Sequence, residues 1–335
     1  LSEFPDDYYT TDAFTDHAIE CVEKFTKNSK PYFLHINYTA PHYPLHAKPQ
    51  DIKKYVGKFR MGWDTMREQR YKRLIDMGLI DANWKLSGRD SRAYDWETAN
   101  HEHEDLRMAV YAAMIDSMDQ NIGRLMKAIQ ANKGGDNTLV LFLSDNGGCA
   151  EEPGGRSPKI VPGPKEFYAA VGPSWGWAQN SPFRRYKSWA HEGGIATPCI
   201  AWWPGRVPRG GITREVGHII DFMPTFLELG AGSYPKEFKG NKILPVEGKS
   251  LVSVLRGQTR KGHKQLAWEW SGNRALREGK WKVVWDKADK RWALFDLVAD
   301  RTETTDLAAQ HPDLAKRLAA DWVAWAKRNG MKPKG

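Results

Sequence analysis

Only three cysteines occur in 335 residues, Cys21, Cys149 and Cys199, and none stands in a Cys-x-x-Cys or similar metal-ligand spacing. A sequence-local cysteine zinc motif is thereby excluded, and the odd number leaves one thiol outside any disulfide framework. No apolar run approaches the roughly 18 residues that a membrane-crossing helix requires, so no membrane span is expected. Internal repeats and low-complexity tracts are absent as well, which excludes solenoids and long disordered arms. Charge of one sign does not dominate: 50 Lys and Arg face 41 Asp and Glu, a formal net charge of +9. The basic residues are dispersed, with small clusters at 53–58, 67–73 and 280–290. Dispersed charge reads as solvated surface, and no nucleic-acid partner is expected. The first residues, Leu1-Ser2-Glu3-Phe4, include neither an initiator Met nor an apolar leader. The expectation is that an N-terminal segment has been lost or processed away, so that a signal peptide is not observable.

What is present is an ordinary globular composition, 41% hydrophobic and 27% charged, with an unusual 15 tryptophans. Packing is the expected role for most of these indoles. Apolar residues at Phe14, Ala18, Ile19, Val22 and Phe25 predict a helix over 12–26, and Lys30-Pro31 ends it. A short aromatic and β-branched strand, Tyr32 to Tyr38, then runs into the turn Thr39-Ala40-Pro41-His42-Tyr43-Pro44. Residues 48–100 are polar and weakly periodic, and read as an excursion over the surface. From Asp105 to Ala131, Leu106, Val110, Met114, Met118, Ile122, Met126 and Ile129 recur at helical spacing. Residues 138–143 predict a strand buried on both faces, which leaves through Ser144-Asp145-Asn146-Gly147-Gly148. A long Gly/Pro-rich loop is expected over 150–180, a strand over 198–203 and a helix over 221–229. Helices alternating with buried strands predict an α/β fold with a mostly parallel sheet sandwiched by helices. Short aromatic runs at 266–270, 281–285 and 292–297, followed by a helix over 312–327, predict a smaller C-terminal α+β domain. The expected division is 1–260 and 261–335.

Three segments carry candidate chemistry. Asp145 and Asn146 project from the C-terminal end of a strand, where open α/β sheets hold ligands, and two hard oxygen donors there suit Ca²⁺ or Mg²⁺. The same four residues, Asp-Asn-Gly-Gly, are also good turn formers. His42 sits between two prolines at another strand end, as a positioned acid or anion contact would, although a loop histidine is also an ordinary surface residue. Lys187, upstream of Glu192-Gly193-Gly194, can neutralise a tetrahedral oxyanion such as sulfate or phosphate; the bland alternative is a basic surface helix. His101-Glu102-His103-Glu104 superficially resembles a metal site, but acids at a helix N-terminus are expected on dipole grounds.

Together these segments resemble the sulfatase family, a branch of the alkaline phosphatase superfamily. Ala40 to His46 resembles the family's Pro-His-x-Pro element, Leu143 to Gly148 its Asp-Asn-Gly-Gly element, and Lys187 with Glu192-Gly193-Gly194 its downstream Lys and Glu-Gly-Gly. Order and separation fit, and the likeness continues through Asp221 to Thr225, Leu294 to Leu297 and Asp300. Ser174 to Pro198 is similar to bacterial arylsulfatase-type members. The resemblance implies an alkaline phosphatase-like fold and hydrolysis of sulfate esters, of a small molecule or a sulfated glycan. It implies Asp145 and Asn146 as Ca²⁺ ligands, and His42 and Lys187 as catalytic and substrate-binding residues that hold the sulfuryl group. No role carries over to His46 or His191.

The family's nucleophile is a formylglycine made from the first residue of Cys-x-Pro-x-Arg or Ser-x-Pro-x-Arg. None of the three cysteines begins such a motif, and Ser233-Tyr234-Pro235-Lys236 lacks the Arg. No nucleophile is therefore expected in this chain. The resemblance implies that a preceding segment supplies the formylglycine, two further acidic Ca²⁺ ligands and an additional Lys and His, and that a maturation enzyme acts on the full-length protein. It further implies a periplasmic or secreted location and an inactive isolated chain. The alternatives are a phosphoryl-transfer hydrolase of the same superfamily and a noncatalytic protein that binds sulfated glycans.

Overall fold

A computed structural model describes residues 4–5, 7–27 and 30–332. The expected first helix forms as α1 (Thr10–Thr26), where Ala18 and Val22 lie one turn apart and are buried. Two helices follow, α2 (Pro49–Ile52), with Pro at its first position, and α3 (Gly62–Asp76). The long periodic segment forms α4 (His101–Ala131), capped by Asn100, whose side chain accepts from the His103 N–H. Leu125 and Ile129 of α4 meet Ala18 and Val22 of α1 in one apolar cluster.

The reading of residues 48–100 as surface is overturned. Trp63 of α3 is fully buried and packs edge-on against Trp96 and Trp175. Arg67, one turn further along, is also buried; its guanidinium stacks on Trp177 at 3.8 Å and donates to the Trp177 and Ser87 carbonyls. This core is built of indoles and a satisfied cation, so the aliphatic 3.6-residue rhythm that marks a core helix is missing from its sequence.

The strand at 140–143, β1 (Val140–Leu143), pairs with a later one, and between them lie α5 (Gly172–Gln179) and α6 (Glu192–Ile195). The partner is β2 (Cys199–Trp202), and the register sets Val140 opposite Trp202 and Leu143 opposite Cys199. That pair is antiparallel, where the buried-strand pattern predicts parallel neighbours. The pattern misleads because the apolar run is covered only in part: Val140 and Trp202 pack with Leu34 and Ile36 under α1 and α4, whereas Phe142 and Ile200, two residues along on the same face, are exposed. The predicted strand 32–38 runs extended with alternating exposure but enters no ladder among the described residues.

Within the expected irregular loop, α5 buries Trp175 and Trp177. Beyond β2 come α7 (Phe222–Leu229), the hairpin β3 (Glu237–Phe238) and β4 (Asn241–Lys242), and α8 (Val252–Leu255). The C-terminal part is a four-stranded antiparallel meander of β5 (Leu266–Trp270), β6 (Asn273–Glu278), β7 (Trp281–Asp286) and β8 (Arg291–Asp296). Against it lies α9 (Pro312–Arg328), whose Leu318, Trp322 and Ala326 bury against Leu276, Val283 and Leu294. The mixed α/β class with a smaller C-terminal sheet is as the sequence predicts. Within this meander the sequence conceals β6, since its Asn273-Arg274-Ala275 opening lacks the aromatic content of its neighbours.

Candidate active site

His42 stands in a turn closed by the His42 N–H bond to the Thr39 carbonyl. The chain is then pinned by buried Leu45, which donates to the Ala169 carbonyl and accepts from the Gly163 N–H. The His42 ring uses Nδ1 to reach the Tyr43 carbonyl at 2.8 Å. A carbonyl only accepts, so Nδ1 carries the proton, and in the neutral ring Nε2 is left with its lone pair outward. Lys187 Nζ donates to that Nε2 at 2.8 Å, across 145 residues of sequence. The same ammonium lies 3.5 Å from the Glu151 carboxylate, which also accepts from the Tyr43 hydroxyl at 2.5 Å. The Tyr43 hydrogen bond holds the Glu151 carboxyl below the usual carboxylate range; burial opposes this and Lys187 reinforces it. The same bond pushes the Tyr43 phenol upward.

Asp145 and Asn146 leave the end of β1 as the strand pattern predicts. Asp145 is exposed. Asn146 donates from Nδ2 to the Gly147 carbonyl at 2.9 Å, which leaves its Oδ1 as the free acceptor. The two glycines that follow explain themselves by contact. A Cβ on Gly147 would lie 1.8 Å from the Gly193 carbonyl oxygen, and one on Gly193 would lie 2.2 Å from that of Arg185. Gly147 N–H donates to Gly194 O, and Lys187 N–H to Gly148 O. The Asp-Asn-Gly-Gly and Glu-Gly-Gly segments are thus packed backbone on backbone, and this contact ties Lys187 to the loop of Asp145 and Asn146.

The Lys187 turn is backbone-strained. Arg185 and Ser188 have φ of 65° and 77°, a region that residues with a Cβ rarely adopt. Side chains around it hold it there. Arg185 bridges Asp90 and Asp286, and buried Tyr186 donates to Asp90. Asn273 of β6 donates to the Ser188 carbonyl at 2.7 Å, so the C-terminal sheet helps to hold the turn. Alongside opens a cleft of about 700 Å³ whose lining includes Tyr43, Ser91, Arg92, Tyr94 and Glu151.

His42 and Lys187 are therefore brought into contact, while Asp145 and Asn146 are joined to Lys187 through the glycine packing. Sequence reasoning missed Glu151 and Cys149. The only available signal was their position directly after Gly148. His191 is fully buried and kept neutral by burial and by the nearby Arg184 and Lys282 cations, and His46 binds the Phe167 carbonyl. His101 stacks on Trp96 and His103 meets the Ile160 carbonyl, so those two rings serve packing and hydrogen bonding.

The family model described as Sulfatase matches residues 2–233, and that of the N-sulphoglucosamine sulphohydrolase C-terminal region matches residues 183–323. An uncharacterised sulfatase of Schizosaccharomyces pombe is 30% identical over 97% of this chain and 62% of its own length. An arylsulfatase of Klebsiella aerogenes is 30% identical over 78% of this chain and 59% of its own. The chain thus spans about three fifths of the length of these curated relatives. The solved structure of BT4656 in complex with its substrate D-glucosamine-2-N,6-O-disulfate aligns with a TM-score of 0.61 at 18% identity, over 97% of this chain and 71% of that one. Its likeness shows a shared, alkaline phosphatase-like fold. With a family model covering more than half of its residues, this chain belongs to the sulfatase family.

Proposed function

We propose that the protein containing this chain hydrolyses sulfate esters, with an aryl or carbohydrate alcohol as leaving group. The observation that carries this reading is the 2.8 Å contact between Lys187 Nζ and His42 Nε2, on a turn whose Lys187 N–H bonds the Gly148 carbonyl just after Asp145 and Asn146. In this reading, Lys187 holds a sulfuryl oxygen and disperses the charge that builds up on it in the transition state. His42, with Nδ1 fixed on the Tyr43 carbonyl, presents Nε2 to the ester's bridging oxygen; as the imidazolium it passes its Nε2 proton to the departing alcohol as the ester bond breaks, and keeps the Nδ1 proton. Glu151 keeps the ammonium in place between turnovers.

Asp145 and the free Oδ1 of Asn146 fit Ca²⁺ as hard oxygen donors, supplying two of the six to eight or so that the ion takes. When bound, the ion supplies positive charge against the sulfuryl oxygens. In this reading the remaining ligands come from other parts of the protein. A formylglycine nucleophile, its maturation enzyme and export to the periplasm or cell exterior belong to the same reading, as does an inactive isolated chain. The test is turnover of an aryl sulfate and of a sulfated sugar by the full-length protein. Lys187→Ala and His42→Ala should each lower kcat/KM by about 100-fold or more. Unchanged activity in either variant sinks the assignment.

A further inference from the structure

The three-dimensional fold assembles a donor set that the cysteine spacing conceals. A ring nitrogen of His42, the Cys149 Sγ and a Glu151 carboxylate oxygen all lie within 4.8 Å of one another. They come from two separate loops, the Pro41–Pro44 turn and the segment after β1. We propose that His42, Cys149 and Glu151 form a binding site for a thiophilic divalent transition metal of the Zn²⁺ class, distinct from the Asp145 and Asn146 oxygens.

The chemistry of the donors supports this. Hard cations such as Ca²⁺ and Mg²⁺ take oxygen ligands, whereas a sulfur, an imidazole nitrogen and one carboxylate oxygen match Zn²⁺ and Co²⁺. Bond lengths of about 2.3 Å to sulfur and about 2.0 Å to nitrogen and oxygen set such donors about 3 to 4 Å apart, so side-chain rotation alone closes the set. The His42 ring is already oriented for the task, because Nδ1–H is spent on the Tyr43 carbonyl and Nε2 faces the ammonium of Lys187, which also reaches Glu151. A carbonyl on the far ring nitrogen is the partner that metal-bound imidazoles commonly have. Glu151 is likewise steadied by Tyr43.

A cation already occupies this place. Lys187 Nζ donates to His42 Nε2 at 2.8 Å and lies 3.5 Å from Glu151. Metal and ammonium compete for the same lone pairs, so metal entry must swing the Lys187 side chain out toward solvent. If the proposed function holds, occupancy removes both His42 and Lys187 from the substrate at once. The binding site itself does not rest on that function.

The test titrates this chain with Co²⁺ and follows sulfur-to-cobalt charge-transfer absorption, with Zn²⁺ added afterwards to displace the signal. Wild type should give a saturable band at one equivalent. Cys149→Ser should abolish it, and the double variant Cys21→Ser/Cys199→Ser, which keeps Cys149 as the only thiol, should retain it. Lys187→Ala should bind about tenfold or more tightly, because its competitor is gone. No saturable band in wild type, a band lost in the double variant, or Lys187→Ala affinity no higher than wild type would each overturn the proposal. The double variant also decides the matter if Cys149→Ser does not fold. Since no substrate enters the experiment, its failure leaves the sulfate-ester reading untouched.

Discussion

Gly147 and Gly193 are in backbone contact, so close that a Cβ on the first would fall 1.8 Å from the carbonyl oxygen of the second. Two loops 46 residues apart are fused at this point, one carrying Asp145 and Asn146 and the other Lys187. Backbone cannot yield as a side chain can. Gly147→Ala and Gly193→Ala should therefore each destabilise the fold by about 2 kcal/mol or more. Gly148→Ala should cost about 1 kcal/mol, because its nearest obstacle is the flexible end of Gln179 at 2.8 Å. Denaturant unfolding of the three variants checks the order, and a Gly148 variant as unstable as the others would contradict it.

Arg185 is the clamp on the strained turn, with φ of 65° and ion pairs to both Asp90 and Asp286. Its side chain and both carboxylates are largely buried, so Arg185→Ala strips Asp286 of this ion pair and leaves Asp90 with the more distant Arg92 at 3.9 Å. A loss of about 3 kcal/mol is expected. Arg185→Lys should recover little of it, since one ammonium cannot reproduce the fork that spans both partners. Calorimetric melting of the two variants measures this.

A pH dependence follows from Lys282, which is shared by Glu192 and Glu303 in a buried triad at 2.8 and 2.9 Å. Burial pushes Glu192 up, but Lys282 and Arg301 outweigh it and hold it down to about 2. Glu303 is pushed up to about 7 by burial, against an ordinary value of 4.5. Between those pH values the folded state keeps a proton that the unfolded chain has released. This group's contribution is therefore most favourable below about 4.5 and is lost as pH rises through about 7. From pH 5.5 to 8, wild type should lose thermal midpoint faster than Glu303→Gln, which has nothing to ionise. Parallel curves for the two proteins would refute the assignment.

Chelation tests the calcium reading. Treating the full-length protein with a Ca²⁺ chelator should abolish aryl sulfate turnover, and readdition of Ca²⁺ should restore it. Asp145→Ala should raise the Ca²⁺ concentration needed for half-activity by at least about tenfold. An Asp145→Ala protein with wild-type calcium dependence would remove Asp145 from the ligand set.

The periodic helices α1, α4 and α9 were legible because each lays aliphatic residues on one face. The Pro-His, Asp-Asn-Gly-Gly and Glu-Gly-Gly elements were legible because turns and close backbone approaches restrict residue choice. Helix α3 was not, since indole stacking around Arg67 leaves no aliphatic rhythm. The antiparallel pairing of β1 with β2 was hidden because Phe142 and Ile200 read as core yet face solvent. Glu151 and Cys149 were invisible as site residues for a different reason. Their meaning depends on a turn more than 100 residues away, and no local pattern encodes that meeting.

The exposed apolar side chains of this region govern how these residues behave in solution. Phe33, Phe142 and Ile200 are exposed, and the extended run 32–38 offers backbone donors and acceptors that no ladder satisfies among the described residues. An apolar face beside an unpaired edge is a template for another strand. Prepared alone, the 335 residues should associate through this face as protein concentration rises, with light scattering that falls when Phe33 and Ile200 are replaced by Lys. Handling of the isolated chain is thus set by side chains that the proposed chemistry does not use.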